Sequence, residues 1–148
     1  MILRDDSQAA LDDVIVECET VAERYRDSAQ RIDDEQWARL FAVRGAQLER
    51  LAEQLGADLR ALDDLPSDPD PEREALHGLA ERLRAVLAGG ERAAVLSARR
   101  DDERTLLETI ARARKQKLAP SVLAHLQRGA ELARHMLAQL ERLNRNQG

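Results

Sequence analysis

Apolar residues recur at helical spacing almost from one end of the sequence to the other, which restricts the chain to a packed set of α-helices. From about residue 7 to residue 31 the stripe is Leu11, Val14, Ile15, Cys18, Val21, Ala22, Tyr25, Ala29 and Ile32, with Ser7 as the expected N-cap. Asp33-Asp34 makes a short connection, and either aspartate can cap the next helix. A connection this short makes the two helices antiparallel neighbours. A second helix, over about 34–62, carries Trp37, Leu40, Phe41, Leu48, Leu51, Leu55, Leu59 and Leu62 and runs through Gly45 and Gly56. Residues 63–70 are rich in aspartate and proline and read as the one clear linker. Asp70 then caps a short helix that opens on Pro71 and covers about 71–88. Gly89-Gly90 ends it, and a fourth helix follows over about 91–117, striped by Val95, Leu96, Leu106, Leu107, Ile110 and Ala113. Leu118-Ala119-Pro120 breaks the chain again before a last helix over about 120–144, with Val122, Leu126, Gly129, Ala133, Leu137 and Leu140 inward. The expected architecture is one all-α domain over residues 1–148: a four-helix bundle of two hairpins, joined by a crossover that holds a short fifth helix.

Composition narrows the function classes. Hydrophobic residues make up 43 % of the chain, mostly Ala, Leu and Val, and the aromatics are Tyr25, Trp37 and Phe41. β-branched and aromatic residues are too sparse for a sheet. The net charge is −5 with both signs interspersed, so no basic face stands ready for nucleic acid. The densest basic stretch, Arg112 to Lys117, lies where a helix is expected to end, where cations complement the helix dipole. Cys18 is the single cysteine, so no internal disulfide forms. Met1-Ile2-Leu3-Arg4-Asp5-Asp6 has no long apolar stretch, and no apolar run reaches membrane-spanning length. The expectation is a cytoplasmic protein that binds neither membrane nor nucleic acid.

From Leu11 to Leu143 the chain resembles a family of small, uncharacterised bacterial ferritin-like proteins that are grouped with stress-response proteins. The most recognisable part runs from Ala75-Leu76-His77, through Arg84 to Gly90, to Arg100-Asp101-Asp102-Glu103. The resemblance implies a ferritin-like four-helix bundle. The di-iron site of such bundles takes a core-facing Glu from each of two helices and a Glu-x-x-His from each of the other two. This sequence departs from that set. The second helix has no histidine, and Glu131 and His135 are spaced by four residues and turn away from the apolar stripe. Glu74-Ala75-Leu76-His77 has the right spacing but lies on the flank of the short crossover helix, where a solvated histidine is expected. Glu17, Glu19 and Glu23 project off the first stripe and read as a solvated face. His125 reads as a boundary residue. Cys18 falls mid-stripe, where a thiol packs as a small apolar group. No catalytic residue, metal ligand or cofactor is expected.

Three charged residues nevertheless fall on core stripes: Arg44 on the second helix, Arg99 and Glu103 on the fourth. Arg99 and Glu103, four apart, can pair along their helix. Arg44 can meet Glu103 across the bundle as a planar, two-pronged donor. Tyr25 brings a hydroxyl that needs a partner if buried. Three readings follow: a buried structural Arg–Glu cluster, a wet helix boundary, or the relic of a metal site near Glu103. The functional expectation is a non-enzymatic bundle with a structural or interaction role, stress-related on the strength of the resemblance, acting as a homodimer or with a protein partner. The alternative is a di-metal oxidase, peroxidase or iron-storage protein with unconventional ligands.

Overall fold

The structure is a computed structural model that describes residues 5–62, 74, 77–78 and 91–146. Its long helices are α1 (Asp6–Arg31), α2 (Glu35–Ala61), α3 (Glu91–Arg114) and α4 (Pro120–Arg145). Among the described residues there is no strand, and the chain is an all-α four-helix bundle. The expected linker at 63–70, the Gly89-Gly90 stop and most of the short helix at 71–88 lie outside the described residues. Glu74, His77 and Gly78 are described, and all three are helical.

Local chemistry sets the helix ends. Asp5, not Ser7, caps α1: its carboxylate accepts from the Gln8 amide at 2.7 Å while Gln8 Oε1 accepts from the Asp5 amide at 3.0 Å. This reciprocal box satisfies two amides that the first turn would otherwise leave open. Ser7 instead donates to the Lys117 carbonyl at 3.3 Å. Asp34 caps α2 by accepting from the Gln36 and Trp37 amides. Helix α3 stops at Arg114, three residues short of expectation. The Lys115 and Gln116 amides turn back to the carbonyls of Arg112 and Ala113, tightening the last turn.

Around the bundle, α1 packs on α2 and α3, and α4 packs on α3 and α2. At one end Arg31 on α1 reaches Glu91 on α3 at 3.1 Å, and at the other Ser7 meets Lys117. Those contacts make α1 and α3 antiparallel. Asp58 meets His125 at 2.8 Å near the end of α2 and the start of α4, so that pair is antiparallel too. The Leu62 carbonyl, at the close of α2, accepts from Gln8 near the start of α1. Glu91, at the start of α3, sits by the end of α1, where Arg92 also donates to the Asp33 carbonyl at 3.0 Å and lies over the Trp37 ring. The two points that residues 63–90 join are therefore a bundle length apart, about 40 Å for helices of this size.

The core is the meeting of the four stripes, with Leu11, Ile15, Phe41, Leu48, Leu55, Leu59, Leu96, Leu106, Ile110 and Leu126 fully buried. On α4 the stripe turns slightly from expectation, since Met136 and Ala130 are buried and Leu137 only half-buried. No helix among the described residues is long and apolar enough to cross a membrane.

Two buried glycines mark close approaches of opposite kind. A methyl at Gly129 would stand 2.6 Å from Leu51 Cδ2, so α4 nears α2 there only because the side chain is missing. A methyl at Gly45 would meet the Ala22 carbonyl at 3.4 Å and side-chain carbons of Arg26 and Tyr25 at 3.7 and 3.8 Å, all ordinary contacts. Gly45→Ala is therefore expected to stabilise the protein by about 0.5–1 kcal/mol, the backbone entropy a mid-helix glycine loses on folding. Thermal melts check this, and a lowered Tm would mean that the α1–α2 interface has no room.

Candidate functional site

The side chains of α1, α2 and α3 bring a polar cluster into the apolar core. Glu103, near the middle of α3, has 0 % exposure, and Arg44 has 3 %. The Arg44 guanidinium grips the carboxylate with two prongs, Nη2 to Oε1 at 2.6 Å and Nε to Oε2 at 2.9 Å. Tyr25, fully buried on α1, donates its hydroxyl to Oε2 at 2.5 Å. Three of the roughly four lone-pair positions of the carboxylate are thus taken. Arg44 also donates Nη1 to Gln47 Oε1 at 3.2 Å. Burial alone would pull the Arg44 guanidinium down, but its bonds and charge pairing with Glu103 more than reverse that and hold it above its ordinary value. Burial, then the negative charge of Glu103, pushes the Tyr25 hydroxyl well up, so it remains a neutral donor. The Tyr25 ring tilts against Phe41 at 5.5 Å, which fixes the direction of the hydroxyl. Helix α4 contributes only apolar groups and glycine to the buried interior, Ala133 and Met136 among them.

Arg99, 1 % exposed, takes a different set of partners from the one expected within α3. Its Nε lies 2.9 Å from Asp102 Oδ2, and Nη1 donates to Ser28 Oγ at 2.8 Å and to the Arg24 carbonyl at 3.0 Å. Its guanidinium also lies over the Tyr25 ring at 5.8 Å. Asp102 in turn accepts from Arg24 Nη1 at 2.6 Å. Arg24 turns its other edge to Glu74, with Nε 3.0 and 3.1 Å from the two carboxylate oxygens. Ser28 falls seven residues after Val21 and Asp102 seven after Val95, at the edges of their stripes, while Arg24 lies off its own. Sequence reasoning passed over all three, although the heptad step from Val21 and Val95 marks Ser28 and Asp102 as boundary positions.

The other candidates separate. Glu131 and His135 are exposed on α4. Glu23 is exposed as expected, but Glu17 and Glu19 are half-buried, because α1 is covered on two sides. Glu74 and His77 are also half-buried, Glu74 against Arg24, which corrects the expectation of a solvated flank. His125 is half-buried beside Asp58. Cys18 is buried, and burial, more than any neighbouring charge, pushes its thiol far up, away from the thiolate a nucleophile requires.

Among the described residues no three His, Cys, Asp or Glu side chains gather as metal ligands. The residues present do not fit the ferritin-like di-iron set, since Glu103 is already gripped by Arg44 and Tyr25 and α2 contains no histidine. A groove of about 240 Å³, lined by Ile15, Glu19, Glu49, Ala52, Glu53, Gly56 and Arg60, shares no residue with the cluster. It is smaller than the 300–1,000 Å³ or so of ordinary ligand pockets. The exposed large apolar side chains among the described residues are Val43 and Leu62, too scattered for an apolar docking patch. Comparison with protein-family models, curated proteins and solved structures finds no match.

Proposed function

We propose that the chain is a ferritin-like bundle whose interior is organised by an ion pair in place of a metal, and that it acts as a structural or interaction protein, not as an enzyme. The observation that carries this reading is the grip of Arg44 and Tyr25 on Glu103 at mid-bundle. Bundle cores are where ferritin-like proteins hold their cations. A guanidinium there supplies the positive charge, and a buried carboxylate with three donors has little left to offer a metal. Support for the connectivity comes from the all-antiparallel ring and from the bundle-length separation of Leu62 and Glu91. A cytoplasmic setting, a place in a bacterial stress response, and a homodimer or protein partner belong to the proposal and rest on the sequence.

Anaerobic titration of chelator-free protein with ferrous iron tests the reading. The expected result is well under one iron per chain and no ferroxidase activity when oxygen is admitted. Two irons per chain, the stoichiometry of a di-iron site, would overturn it in favour of a di-metal oxidase, peroxidase or iron-storage protein. Ferroxidase activity that Glu103→Ala removes would do the same.

A further inference from the structure

Helix α4 stands apart from the other three in how it is held. The polar cluster ties α1, α2 and α3 to one another: Tyr25 and Arg44 both bond Glu103, while Arg99 and Arg24 link α1 to α3. None of those partners comes from α4, whose buried residues are apolar or glycine. Among the described residues, its one hydrogen bond to another helix joins His125 Nδ1 to Asp58 Oδ2 at 2.8 Å. Its start is also weakly fixed. Ala119 caps it with no side-chain bond, whereas Asp5 and Asp34 cap α1 and α2 through their carboxylates.

This loosely tied helix nevertheless covers the ion pair. Ile110 Cδ1 lies 3.5 Å from where a side chain at Gly129 would begin, so the two residues are level on antiparallel neighbours. Two turns along each helix, seven residues in opposite directions, stand Glu103 and Met136. Met136 is 2 % exposed, and Ala133, one turn before it, 0 %. Both lie at the level of the carboxylate, and neither side chain has a hydrogen to donate to it.

We propose that α4 is a lid over the Arg44–Glu103 pair, which lifts away as one unit while α1, α2 and α3 stay packed. Closing the lid takes two charged groups out of water, a cost that the apolar face of α4 must offset. Lifting it lets water back to the guanidinium and the carboxylate without breaking their bonds to each other. Part of the lost apolar burial is thereby returned as hydration. Pulling α2 or α3 away also wets the ions, but only by breaking the bonds between them. The lid is therefore the part of the bundle that opens first, below the threshold of global unfolding.

Amide hydrogen exchange of the full chain near pH 7, read by mass spectrometry, tests the lid. Amides of residues 126–136, in the middle of α4, should exchange together and at least about tenfold faster than amides at the middle of α1, α2 and α3. Gly129→Leu places a branched side chain where even a methyl would stand 2.6 Å from Leu51 Cδ2. It should speed α4 by roughly a further tenfold and leave α1 and α2 at the parent rates. If that protein fails to fold, Asp58→Ala, which removes the bond to His125 from outside the core, should speed α4 alone by about threefold or more. The Arg44→Met, Glu103→Leu, Tyr25→Phe protein has no ion pair under α4 to hydrate, so there the gap between α4 and the other helices should narrow by about threefold or more. One common rate for all four helices, or fast exchange confined to the last turn of α4, would overturn the lid. So would a Gly129→Leu or Asp58→Ala protein whose four helices speed up alike, or a gap left unchanged in the triple variant.

Discussion

Arg44→Met and Glu103→Leu are each expected to destabilise the protein by about 3–5 kcal/mol, which would make them among the most damaging single changes available in the chain. The dominant cost is the charge left behind, more than the hydrogen bonds broken. Each partner is almost wholly excluded from water, so removing one strands the other where water cannot solvate it. Removing both is a different experiment. In the Arg44→Met, Glu103→Leu protein neither ion of the pair is buried, and apolar side chains of similar reach fill the space. The double variant should recover most of the combined loss, with a coupling of at least about 1.5 kcal/mol. It should not recover all of it, because the Tyr25 hydroxyl loses its acceptor and stays buried. That residue of about 1–3 kcal/mol should disappear when Tyr25→Phe is added to the pair. Urea unfolding followed by circular dichroism measures all four proteins. Independent losses below about 0.5 kcal/mol, as at ordinary surface sites, would show these charges to be solvated, and the metal-substitute reading would fall with them.

How far such a site can be read in advance depends on whether its residues share a stripe with the core. Arg44, Arg99, Glu103 and Tyr25 each sit where the apolar repeat calls for an inward residue, so their burial follows from helix geometry. The contact between Arg44 and Glu103 follows from a further step, that two inward opposite charges on neighbouring stripes seek one another. Asp102 carries a weaker signal. It sits one position from Glu103 and seven after Val95, at the edge of the stripe, where Arg24 meets it from α1 and Arg99 from its own helix. Arg99 turns to Asp102 and Ser28, edge positions that helical spacing marks only weakly. The same limit explains the smaller shifts in the fold. The repeat tells that α3 ends before Pro120, but not that its last turn closes on the Arg112 and Ala113 carbonyls. It tells that α4 is amphipathic, but Met136, seven residues after the Gly129 that packs on Leu51, is buried and Leu137 only half-buried.

Arg99→Met should cost nearly as much as the loss of Arg44, about 3 kcal/mol or more, and its cost should depend on pH in a particular direction. Arg99 pairs its charge with Asp102 and donates to Ser28 and the Arg24 carbonyl, so its removal leaves a buried carboxylate short of a neighbouring cation and a hydroxyl and a carbonyl each short of a donor. Arg99→Lys should recover less than half of the loss, because one ammonium on a flexible stem cannot reproduce a fork that reaches three acceptors. The pH dependence follows from Asp102. Burial raises its carboxyl above the ordinary value in the folded protein, with Arg99 the foremost charge opposing the rise. Between its unfolded and folded values the native state therefore holds a proton that the unfolded chain has released, and stability falls as pH rises through that window. Without Arg99 the folded value moves higher still and the window widens toward neutrality. The deficit of Arg99→Met against the parent should consequently be greatest near pH 7 and shrink as the pH is lowered and Asp102 takes up its proton. Urea midpoints measured from about pH 7 down to about pH 4.5 decide it. A deficit that stays constant, or grows on acidification, would mean that Arg99 stabilises the bundle by packing on the Tyr25 ring and not by neutralising Asp102.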